Sequence, residues 1–75
     1  MALIEKISRQ VQRYRDQEVV ECTYDVLTDA AGRKYLQLLT YGSPGRKEPG
    51  KVSQNVRFGP VALAELKRII QEHNL

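Results

Sequence analysis

The 75-residue chain has little that could hold a metal or a covalent cross-link: one cysteine, Cys22, and one histidine, His73. One copy can form neither a disulfide nor a Cys/His zinc site, and such a composition belongs in the reducing cytoplasm. Tryptophan is absent and phenylalanine occurs once, so four tyrosines supply most of the aromatic surface. No apolar run approaches the ~18 residues of a membrane span. Glu5 and Lys6 interrupt the stretch where a secretion signal would be apolar, which predicts neither export nor membrane contact. Glycines 42, 45 and 50 precede a strand pattern and are not followed by Lys-Ser/Thr, so they do not form a phosphate loop.

Catalytic sets are missing as well. Cys22 shares one side of a strand pattern with Tyr24 and Val26, which predicts a small buried hydrophobe rather than an activated thiolate. His73 falls in the last turn of a helical pattern, where an imidazole meets free carbonyls. Glu18, Glu21 and Asp25 lie near one another but face no second carboxylate-rich segment. The expectation is a non-enzymatic protein with no catalytic residues, no metal and no cofactor.

What is present is a clear succession of periodicities. Leu3, Ile4, Ile7, Val11 and Tyr14 recur at helical spacing, predicting an amphipathic helix over 1–16. Val20, Cys22, Tyr24 and Val26 alternate with Val19, Glu21, Thr23 and Asp25, predicting a half-buried strand over 18–28. Asp29-Ala30-Ala31-Gly32 reads as a turn before a second strand over 34–41. Residues 42–51 hold three of the five glycines and two of the three prolines, a density that predicts a loop. Val52, Gln54, Val56 and Phe58 alternate with Ser53, Asn55 and Arg57 in a third strand whose other side is polar. Pro60 then opens a helix over 60–74 with Ala62, Leu63, Leu66, Ile69 and Ile70 on one stripe. The predicted fold is a single small α+β domain of order α-β-β-β-α, its antiparallel sheet over 18–59 packed by helices. Folding at this length hides only about 60% of the unfolded surface, so a homodimer is expected.

Charge is unevenly spread. Residues 1–32 carry four basic and six acidic side chains, and residues 58–75 two of each. Between them Arg33, Lys34, Arg46, Lys47, Lys51 and Arg57 face only Glu48, a local +5. Clustered cations release counterions from phosphate chains, and neighbouring aromatics can stack bases of a single strand. Tyr35 and Tyr41 share one side of their strand, and Ser53, Asn55 and Arg57 project together as hydroxyl, amide and guanidinium donors.

The order of strand Lys34 to Tyr41, then Pro44-Gly45-Arg46-Lys47 with Pro49-Gly50-Lys51, then Val52-Ser53 and a helix from Pro60 to Ile70 resembles the single-stranded-DNA-binding domain of the PC4 transcriptional coactivator family and its short bacterial relatives. The likeness covers roughly residues 19–71. It implies a homodimer whose curved sheets hold single-stranded nucleic acid, with Arg46, Lys47 and Lys51 as contacts and Tyr41 and Ser53 beside them. The family domain has four strands before its helix, where this sequence shows a helical pattern in place of the first. The segment from Tyr41 to Gln54 also looks like small bacterial proteins without an established activity. Two functions are therefore expected to compete. The first is non-sequence-specific binding of single-stranded DNA or RNA through Arg33, Lys34, Tyr41, Arg46, Lys47, Lys51, Ser53 and Arg57. The second is a protein-interaction or oligomerisation module that uses the N-terminal helix and an exposed apolar strand face.

Overall fold

Alternating β-formers over 34–41 and 52–58 give strands at the predicted positions. The computed structural model describes residues 1–42 and 52–75, with β1 at Ala2–Ile4, β2 at Cys22–Thr28, β3 at Lys34–Tyr41, β4 at Val52–Phe58 and α1 at Pro60–Glu72. The sheet order is β1-β4-β3-β2, with β1 parallel to β4 and the other pairs antiparallel.

Three expectations need correction. The predicted helix over 1–16 is instead a three-residue edge strand, β1, followed by residues 5–21 without helix or strand. Among the described residues the chain therefore has four strands in a mixed sheet and one helix, not the expected antiparallel sheet in the order α-β-β-β-α, because β1 runs parallel to β4. Hydrogen bonding to β4 takes Leu3 and Ile4 out of the helical stripe, and the Gly59 amide closes β1 onto the Ile4 carbonyl at 3.0 Å. The remaining apolar positions, Ile7, Val11 and Tyr14, have little surface to bury against, and an isolated helix of this length is marginal in water. The third correction is that β2 begins at Cys22 rather than at residue 18.

Ladder partners lie side by side on one face of a sheet. Leu36, Leu38, Val56, Phe58, Val26 and Tyr24 thus share one face with Ala2 and Ile4. The opposite face carries Tyr35, Gln37 and Leu39 with Asn55, Arg57, Thr23, Asp25 and Leu27. α1 packs against β3, the strand that supplies Leu36 and Leu38. Its missing side-chain cap is offset by Pro60 at the first turn, which removes one unpaired N–H, and the Leu63 amide donates to the Gly59 carbonyl at 2.9 Å. Among the described residues only Gly59 and Ala62 are buried. The expected burial of the Cys22 side of β2 does not hold: Cys22 is exposed, Tyr24 is 73% exposed and Val26 55%, because β2 is an edge strand and α1 lies against β3.

Candidate nucleic-acid interface

At the hairpin end of β3, a short turn is tied together by one carboxylate. Asp29 Oδ1 accepts from the Ala31 and Arg33 amides at 2.9 and 3.0 Å, and Oδ2 accepts from Arg33 Nε and the Tyr35 hydroxyl, both at 2.9 Å. Gly32 takes the positive φ of +82° that closes the turn, its amide donating to the Asp29 carbonyl at 3.0 Å. Partial desolvation opposes ionisation of Asp29, but the hydrogen bonds from Arg33, Tyr35 and Ala31 outweigh it and hold its pKa below the ordinary value. The same bond from the Tyr35 hydroxyl raises the phenol's pKa. Arg33 is therefore paired within the chain, and Tyr35 is anchored by its hydroxyl rather than presented as a free stacking plane.

The opposite end of β3 differs. Tyr41 is half-buried, and its hydroxyl lies 3.1 Å from Thr23 Oγ1. A register shift between Thr40 and Tyr41 leaves Ser53 as the extra residue opposite that step. Tyr41 and exposed Ser53 line one depression of about 450 Å³ with Glu18, Val20, Thr40, Gly42 and Gln54. Arg46, Lys47 and Lys51 lie outside the described residues.

Between the two ends, the polar face opens in a shallow depression of about 390 Å³ lined by Thr23, Tyr24, Asp25, Leu27, Gln37, Leu39 and Arg57, all from the sheet. Arg57 grips Gln37 Oε1 through Nε at 3.0 Å and Nη2 at 2.6 Å, a fork that aims the guanidinium across β3. Its remaining N–H donors suit a phosphate or a base edge. Asp25 stands directly opposite Gln37 on the other side, its Oδ1 accepting from the Val26 amide at 2.8 Å. Asn55 Oδ1 on the same face is buried without a hydrogen-bond partner among the described residues.

The expected contacts thus separate into groups. Tyr41 and Ser53 come together, and Arg57 sits on the open face. Arg33 and Lys34 stand at the far end of β3, about 23 Å from Tyr41 at ~3.3 Å per residue. Thr23, Gln37 and Asp25 were absent from the sequence-derived set. Cross-strand register is the signal that finds them, since it sets Gln37 between Asp25 and Arg57. No metal-holding group of His, Cys, Asp and Glu occurs among the described residues. Among the described residues no helix is long and apolar enough to cross a membrane. No known family's profile, no curated protein and no solved structure matches the chain.

Proposed function

We propose that this protein is a small non-catalytic cytoplasmic module that binds single-stranded DNA or RNA without sequence preference and works as a homodimer. One observation carries the reading. The +5 segment at 33–57 runs through two strands whose loop-side residues Tyr41 and Ser53 share a depression, with Arg57 on the open face between β2 and β4. Arg46, Lys47 and Lys51 supply phosphate attraction by their charge, Tyr41 supplies a ring edge, and Ser53 and Arg57 supply sugar and phosphate donors. Lys34, exposed and at the hairpin end, contributes at long range. Arg33 contributes least because Asp29 already neutralises it. Four strands before one helix is also the element order that the coactivator resemblance implies.

Fluorescence anisotropy with a labelled single-stranded oligonucleotide and its duplex, each at two salt concentrations, tests the proposal. Salt-sensitive binding that favours the single strand is expected. No binding at low salt would overturn it and leave the interaction-module reading, which the exposed Tyr24 and Val26 favour.

A further inference from the structure

One copy of the chain does not cover its own apolar surface. It exposes 6685 Å², against about 4,700 Å² for a compact protein of 8.6 kDa. Its radius of gyration is 14.6 Å, against about 11 Å for a globule of this length. Much of the exposed apolar area lies in one continuous stretch: Val11 is 82% exposed, Tyr14 87%, Val19 89%, Tyr24 73% and Val26 55%.

The same stretch is divided into two charge blocks. Residues 6–15 hold Lys6, Arg9, Arg13 and Arg15 and no acid, whereas residues 16–32 hold five acids and no base. Among the described residues, the ion pairs are Arg33 with Asp29 and Arg68 with Glu72, and neither joins the basic block to the acidic edge. The connection is also longer than its task. Ile4 is level with Phe58 and Cys22 with Gln54 on opposite sheet edges, roughly 20 Å apart at ~4.8 Å per strand and ~3.3 Å per residue. About seven extended residues would bridge that gap, and residues 5–21 are more than twice as many.

We propose that residues 6–16 form an exchanged arm: in the homodimer, each arm docks as an amphipathic helix on the β2 edge of a second copy. Val11 and Tyr14 then cover the partner copy's exposed apolar edge, while Lys6 and Arg15, which flank that stripe on the helix, face its acidic edge. Two arms and two edges satisfy each other around a two-fold axis, closing the assembly at two chains. In one copy Ile7 alone of the Ile7, Val11 and Tyr14 stripe is partly shielded, beside the end of α1; Val11 and Tyr14 find their apolar surface on the second copy. This rests on the homodimer in the proposed function and names the surface that makes it.

Sedimentation velocity on the full chain across low to high micromolar concentration, with hydrogen exchange of residues 6–16 at both extremes, tests the arm. A species of twice 8.6 kDa is expected, with arm protection and far-UV helicity rising together with concentration. Val11→Glu with Tyr14→Glu, both on exposed positions, raises the dimer dissociation constant by at least about 100-fold. Lys6→Glu with Arg15→Glu weakens it too, and Glu18→Arg with Glu21→Arg in the same chain restores it. A dimer whose arm amides stay unprotected overturns the arm but not the dimer. A monomer at all concentrations overturns both. A monomer with protected arm amides means that the arm folds on its own sheet, which also overturns the exchange. Should the glutamate variant fail to fold, the wild-type exchange data alone decide.

Discussion

Residues 22–75 and residues 1–21 were both read from hydrophobic period, yet one region follows its pattern and the other does not. In the first, each periodic segment has a neighbour: β3 pairs on both sides, β4 pairs on both sides, and α1 lies against β3. In the second, the stripe of Ile7, Val11 and Tyr14 has almost nothing to lie on, and only Ile7 is partly shielded. Period states which side of an element wants burial. Whether the element forms depends on a surface being there to bury it.

The strongest way to break this comparison is to insert proline in each region. Lys67→Pro falls at an exposed position inside α1, removes a backbone donor and clashes with the preceding turn, costing about 3 kcal/mol. Against the marginal stability of so small a domain, that should abolish or nearly abolish the cooperative melt seen by far-UV circular dichroism. A melt shifted by only a degree or two would mean that α1 contributes little to the fold.

Asp29→Asn probes the turn that sets the β2–β3 register. The carboxylate's folded pKa lies below its ordinary value of 3.8. Its stabilisation is therefore fully present above about 3.8 and is lost as pH falls through the lower folded value. The variant should melt below the wild type at neutral pH, and the two curves should converge in acid. A constant gap across that range would mean that the charge of Asp29 plays no part.

For function, replacing Arg46, Lys47 and Lys51 with Ala sharpens the contrast between the two regions. Each lost phosphate contact on a single strand removes about 0.7 from the slope of log affinity against log salt, so three remove about 2. An unchanged slope would remove the three loop cations from the contacts and leave Lys34, Arg57 and the basic stretch at 6–15 to supply them.

The hairpin and final helix could be read directly because their signals are local and agree with one another: Asp29 to Gly32 as a turn, alternation on both sides, and Pro60 at a helix start. β3 and β4 match their predicted spans. β1 could not be read in this way, since three residues, Ala-Leu-Ile, suit a strand or a helix and the choice was made by β4, more than fifty positions away. The site was half readable. Composition located the cations, but the fork from Arg57 to Gln37 and the Thr23–Tyr41 hydroxyl pair depend on strand register. The exposure of Tyr24 and Val26 was hidden because alternation marks a face without saying whether anything covers it.

The smallest expected effect is the most discriminating one. Gln10→Pro lies in an exposed segment without helix or strand, so in dilute solution, where the chain is a monomer, stability should change by no more than about 0.5 kcal/mol. Proline at the same position cannot sit in the interior of an arm helix without losing a hydrogen bond and kinking it. At concentrations where the wild type is paired, the variant should sediment as a monomer and lack the added helicity. The two regimes would separate the two roles proposed for one segment: surplus chain in a single copy, and a helix when a second copy supplies the surface. A proline that destabilised the monomer as much as Lys67→Pro would show that residues 5–21 are already helical in one copy, and the distinction between the two regions would disappear.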